Sequence, residues 1–172
     1  MNIFYLDDDP KLAAEYHCDK HVVKMILESA QMLSTAHHVL DGEIGAIPNK
    51  QHLYKSTHVN HPCNVWIRSN IQHYNWLYEL FQYLCFEYTN RYNKVHLTDT
   101  KLSNLLKDAP NNIPFRKLFE EPPQCMPEEY QVSGDTVQAY RNYYMFEKSE
   151  FAVWKLGNVP YWYSERKIKC QQ

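Results

Sequence analysis

Glycine is scarce in this chain, at 4 of 172 residues. That scarcity argues against a turn-rich all-β protein, whose hairpins need residues at positive φ. Positive charge is not in excess either, with 18 Lys and Arg against 20 Asp and Glu and a net charge of −2. A broad duplex-binding face works by neutralising phosphates, so this balance speaks against one. A small anion needs only a few cations and stays open. The five cysteines, Cys18, Cys63, Cys85, Cys125 and Cys170, are odd in number and form no C-x-x-C pair. Neither a zinc ribbon nor a disulfide framework is suggested, and reduced thiols in a cytoplasmic setting are expected. An 18-residue apolar run and a basic leader followed by an apolar stretch are both missing, so no membrane span or secretion is expected.

What the chain has is apolar and aromatic bulk. Apolar residues make up 44% and aromatics 15%, with 14 tyrosines. At this length the chain fits one domain, residues 1–172, burying roughly 70% of its unfolded surface. Tyrosine packs like a core residue but keeps a polar tip, so a minority are candidates for ring stacking.

Along the chain, Asn2 to Leu6 reads as a short strand or a packed arm. Asp7-Asp8-Asp9-Pro10 reads as a helix start with an Asp cap and Pro in the first turn. A long first helix is expected from Pro10 to Leu40, closed by Asp41-Gly42, then a loop over Glu43–Asn60 with a turn at Pro48-Asn49. A second long helix is expected from His61-Pro62 to Tyr92, and a short third over Thr98–Lys107 capped by Thr98 or Asp99. Five prolines between Ala109 and Glu129 exclude a regular element there. A last helix is expected from Asp135 to Lys155, followed by the aromatic run Pro160-Tyr161-Trp162-Tyr163, read as packing. The fold class is therefore mainly α, a single domain of three long helices with short helices and Pro-rich loops.

At 100° per residue, His17, His21, Lys24, Glu28, Gln31, Thr35 and His38 share one face of the first helix, with Lys20 at its edge. The remaining circumference is apolar or small. Such a stripe either faces water or lines a cleft, and three histidines with a glutamine favour the cleft. Lys24 and Glu28 form an i, i+4 pair, which can also position a catalytic carboxylate. His17 and His21 have helical zinc-ligand spacing but no evident third ligand, so no metal is expected, and no cofactor. Arg68 on the second helix, and Arg141 with Tyr144 on the last, are read as further members of an anion pocket, with Tyr74, Trp66 or Tyr144 as stacking platforms.

The pattern D-x-H-x6-E at Asp19, His21 and Glu28, with a His-initiated long helix ending in Arg-Tyr and a last helix with an aromatic tail, resembles the phage pyrimidine-dimer DNA glycosylases of the endonuclease V type. The opening H-C-D-K-H-V-V-K-M-I-L-E is also similar to that of a group of uncharacterised phage proteins. The resemblance implies a helical, endonuclease V-like fold. It also implies an amine nucleophile at the mature N-terminus, forming a Schiff base at the sugar, assisted by a glutamate that corresponds to Glu28. Two arginines that flank that glutamate in the family correspond to Leu27 and Gln31. Asn2 is too large to favour removal of Met1, so the amine would be that of Met1.

Three functions follow as expectations. The first is a phage-type protein that captures or sequesters a small nucleotide, such as a host immune signal, in a pocket of His17, His21, Lys24, Glu28, Gln31, Arg68, Arg141 and Tyr144. In that reading nucleic acid is not the favoured partner, and the setting is the host cytoplasm. The alternative is an enzyme acting on N-glycosidic bonds, a DNA glycosylase and AP lyase or a nucleoside hydrolase, with Glu28 catalytic. The third is a protein that binds a host protein through a Tyr-rich surface.

Overall fold

A computed structural model describes residues 1–42, 52–116 and 118–164. Pro48-Asn49 and Cys170 lie outside the described residues. Among those described there is no strand, so the chain is mainly α as expected. The helices are α1 (Pro10–Tyr16), α2 (Asp19–Asp41), α3 (Pro62–Arg68), α4 (Ile71–Tyr92), α5 (Leu97–Leu106) and α6 (Thr136–Phe146), with a 3-10 turn at Glu128–Tyr130. None of the described helices is long and apolar enough to cross a membrane.

Caps set most of the boundaries. Asp9 accepts from Lys11 N–H at 2.8 Å and Pro10 opens α1, so the acidic run is a cap as read. Gly42, at φ 61°, closes α2 after Asp41. Asp135 caps α6 by accepting from Gln138 N–H. At α5 the cap is His96, not Thr98 or Asp99: its Nδ1 accepts from Thr98 N–H at 3.2 Å.

The expected long helices are each shorter. The first breaks at His17 and Cys18, both extended (ψ 133° and 161°). The second breaks at Ser69-Asn70, where Asn70 turns extended and caps α4 through its side chain. The last ends at Phe146, nine residues before Lys155, so Lys148 and Lys155 do not share a helix with Arg141.

Helix α2 packs against α3, α4 and α5, and α1 packs on α4. The N-terminal segment is an arm, not a strand, and its Ile3, Phe4, Tyr5 and Leu6 are buried in the common core. Trp162 and Tyr163 are buried as well, Trp162 against Tyr16 and Tyr144 and Tyr163 against Trp154, so most of the aromatic tail packs.

Asp19 and Arg91 lock the head of α2 to the end of α4. Arg91, with a side chain only 2% exposed, pairs with Asp19 at 3.3 Å and with Glu87 at 2.7 Å. It also donates to the carbonyls of His17 and Glu15. The second carboxylate oxygen of Asp19 accepts from the N–H groups of Lys155 and Leu156, which fastens the C-terminal segment. A buried charge this well satisfied is structural. Asp19 therefore builds the fold.

Candidate functional site

The N-terminal arm crosses α2 at Glu28. The α-amine of Met1 stands 4.0 Å from Glu28 Oε2, and the Asn2 N–H donates to the same oxygen at 3.2 Å. The other carboxylate oxygen pairs with Lys24 Nζ at 3.1 Å. Glu28 is thus held from both sides, with its side chain still 13% exposed.

Asn2 fixes the position of the amine. Its Nδ2 donates to the Cys125 carbonyl at 2.9 Å, and its Oδ1 accepts from Tyr140 Oη–H at 2.7 Å. The Met1 side chain tucks towards α3, where Asn64 Nδ2 donates to its thioether at 3.2 Å. Phe4, held at φ 55°, lays its ring over His21 with centroids 4.5 Å apart. A bulky side chain at positive φ is costly, and burial in the core is what sustains it here.

Met1, Asn2, Phe4, His21, Lys24, Glu28 and Cys125 line a cavity of about 410 Å³ together with Lys20, Tyr143, Lys148 and Phe151. Three lysines, Lys20, Lys24 and Lys148, thus surround one carboxylate and one amine. Two of the lysines rest on rings, Lys20 over Phe151 at 4.7 Å and Lys148 over Tyr143 at 4.4 Å. Cation–π attraction of this kind favours these positions for the two ammonium groups. A volume of this order suits a single nucleoside-sized group.

His21 forms the inner wall. Its Nδ1 hydrogen-bonds the Tyr144 hydroxyl. Burial, followed by repulsion from His17 and the lysines, pushes it down to about 2. His17 is fully buried with Nδ1 on the Ala13 carbonyl at 2.6 Å, and burial lowers it to about 4. Both are neutral at physiological pH, so neither brings positive charge to an anion.

Of the residues expected to form a pocket, His21, Lys24 and Glu28 meet at this cavity, and the others do not line it. His17 caps α1, off the helix that carries the other three. Gln31 lies one turn beyond Glu28, where its carbonyl accepts from Thr35 Oγ1–H. Arg68 donates to the Val59 carbonyl at 2.6 Å. Arg141 is spent on the Leu6 carbonyl and on Asp7, both at 2.9 Å, beneath the rings of Tyr16, Tyr161 and Trp162. Tyr144 is fully buried. Of the residues read as stacking platforms, Tyr74 is fully buried and donates to the Leu106 carbonyl, and Trp66 is stacked on His73 at 4.3 Å. Asn2, Phe4, Cys125, Tyr143, Lys148 and Phe151 line the cavity without having been read as pocket residues from the sequence. They come from the arm, from α6 and its following turn, and from the proline-rich segment, which no periodicity connects to α2.

A family model for pyrimidine dimer DNA glycosylases matches residues 1–100. That span holds the arm and α1 to α4 complete, and with it Met1, His21, Lys24 and Glu28. The chain belongs to this family. Among curated proteins and solved structures nothing matches.

Proposed function

We propose that the chain is a DNA N-glycosylase with lyase activity, in which the Met1 amine is the nucleophile and Glu28 is its acid/base partner. The pairing of amine and carboxylate at 4.0 Å inside a lysine-rimmed cavity carries this reading. Family membership supports it independently.

The chemistry follows from the groups present. Glu28 accepts a proton from the ammonium of Met1, freeing its lone pair. The nitrogen then bonds to the anomeric carbon of a damaged nucleotide as the glycosidic bond breaks, and the electron pair leaves with the base, which takes up a proton. The bound nitrogen then carries two protons: one is released, the sugar ring opens as its oxygen takes up a proton to become a hydroxyl, and the iminium ion that results keeps the other. Removal of a proton from the adjacent sugar carbon then expels the 3′-phosphate and cuts the strand. Once it has handed its proton to the departing base, the Glu28 carboxylate stabilises the cationic iminium. Lys20, Lys24 and Lys148 supply the local positive charge for flanking phosphates that the net charge of −2 does not reveal. The substrate base must leave the duplex to reach such a cavity, and a damaged pair resists that least.

The nucleotide-capture reading loses support, because Arg68, Arg141 and Tyr144 are committed elsewhere. Strand incision decides between them. Duplexes carrying a pyrimidine dimer or an abasic site should be cut, and an intact mass should show Met1 as the first residue. One extra residue ahead of Met1 should abolish cutting. Absence of cutting on both duplexes, or cutting that survives the extension, would refute the reading.

A further inference from the structure

Beside the amine, three metal-ligating side chains converge from two distant parts of the sequence. His61, Cys63 and Cys125 each offer a ligand atom, and these atoms lie within 4.8 Å of one another. The two sulfurs are 3.6 Å apart. Cys63 is fully buried, while His61 and Cys125 are partly exposed, so the cluster is reachable from one side. We propose that His61, Cys63 and Cys125 form a three-ligand site for a zinc-class transition-metal ion, which ties the head of α3 to the proline-rich segment.

The sulfur pair already has the spacing that chemistry needs, and the imidazole, within 4.8 Å of both sulfurs, closes on the ion by a small side-chain rotation. Two thiolates on a tetrahedral zinc ion, with bonds of about 2.3 Å, stand about 3.8 Å apart, and an imidazole nitrogen stands about 3.5 Å from each. The observed sulfur separation differs from this by about 0.2 Å. Two sulfurs and a nitrogen are soft donors, which select zinc or cobalt over magnesium or calcium.

Local structure holds the ligands in place. His61 is the N-cap of α3 and Pro62 its first residue, which sets His61 and Cys63 on one turn. Cys125 arrives from the other side, its N–H donating to Tyr140 Oη at 3.4 Å and its carbonyl accepting from Asn2. Binding releases the two thiol protons to solvent, and two thiolates with a neutral imidazole leave a site of no net charge around a divalent ion. His61 Nδ1 accepts from the Cys63 N–H at 3.2 Å. A neutral imidazole has a single free lone pair, so the ion takes over that bond. The fourth position is left to water. Because the Cys125 carbonyl holds Asn2, an ion here stiffens the segment that positions the Met1 amine. The site stands whether or not the proposed reaction does.

Titration of the reduced full-length chain with Co²⁺ tests it. One equivalent should give thiolate-to-cobalt charge-transfer bands and the visible bands of tetrahedral cobalt, all removed by Zn²⁺. Zn²⁺ at about 100 times its dissociation constant should raise the unfolding midpoint by roughly 5 °C or more. Cys125→Ser, at a partly exposed position, should abolish both effects while leaving the helical circular dichroism unchanged. Cys63→Ala should do the same if it folds. No bands in a chain whose thiols titrate as reduced, bands that persist in Cys125→Ser, or a Cys63–Cys125 disulfide that forms in place of the metal complex would each overturn the proposal.

Discussion

The Met1 amine lies 4.0 Å from Glu28 Oε2, and the same oxygen also accepts from the Asn2 N–H. One carboxylate therefore meets the start of the chain twice, while Lys24 holds its other oxygen at 3.1 Å. This contact joins two residues far apart in sequence, and the proposed chemistry rests on it.

Glu28→Gln keeps an acceptor for the Asn2 N–H but cannot take a proton from the amine. Turnover is expected to fall by about 10²–10⁴-fold. The Lys24 pair contributes little, because Lys24 is 59% exposed and solvent screens it, so any fall in stability, about 1–3 kcal/mol, should come from the Met1 amine left without its carboxylate. Incision kinetics alongside thermal unfolding check both. A fall in midpoint that accounts for the lost activity would assign Glu28 a structural role instead.

Lys20 and Lys148 are expected to contact phosphates. Replacing either with Ala should weaken DNA binding uniformly across sequences and reduce the magnitude of the salt slope by about 1. Arg141→Lys is the control, since Arg141 is bonded within the protein and away from the cavity. Binding measured at several salt concentrations decides. An unchanged slope in both lysine variants would remove them from the DNA interface.

The buried histidines set a pH dependence. His17 and His21 are held at about 4 and about 2 in the fold, below the ordinary value near 6.5. As pH falls, the unfolded chain binds these protons first. Stability is therefore complete above about pH 6.5 and declines below it, by about 1.4 kcal/mol per pH unit for each histidine. The share from His17 stops growing near pH 4 and that from His21 near pH 2. His61, His73 and His96, also lowered by burial, act in the same direction. Unfolding midpoints between pH 7.5 and 5 should fall steadily, and His17→Gln should reduce the slope by one proton. A flat profile would show that these rings are not buried neutral.

Gly157 lies against the Arg91 guanidinium. A Cβ there would stand 2.6 Å from Cζ and 2.8 Å from Nε. Bonds to Asp19, Glu87, His17 and Glu15 stop the guanidinium from moving aside. Gly157→Ala should therefore cost about 1–3 kcal/mol. This would appear as a midpoint lowered by several degrees. An unchanged midpoint would mean that this network is looser than its geometry.

Local signals in the sequence account for much of this fold. Asp9 and Gly42 mark helix ends through their own chemistry and act as read, while Asp135, read as the first residue of the last helix, is its cap. The break at His17-Cys18 carries no glycine or proline. It forms because Asp19 and Arg91 gather distant carbonyls and N–H groups, a tertiary effect that periodicity cannot register. Ser69-Asn70 was a readable cap signal, hidden within a longer apolar pattern. At the site, His21, Lys24 and Glu28 were legible because they share one face of one helix. Phe4, Tyr143 and Phe151 were not, since the arm and the segments around α6 reach the cavity only through folding. Cys63 and Cys125 escaped for the same reason, being 62 residues apart.

The central claim is that the amine of Met1 is the nucleophile. The most direct measurement is reductive trapping with borohydride on a duplex carrying an abasic site, followed by proteolysis and mass mapping of the cross-link. A covalent adduct on Met1 that is lost when one residue is added ahead of it is the result predicted. An adduct on Lys20, Lys24 or Lys148, or no adduct on a duplex that the protein binds, would contradict the account.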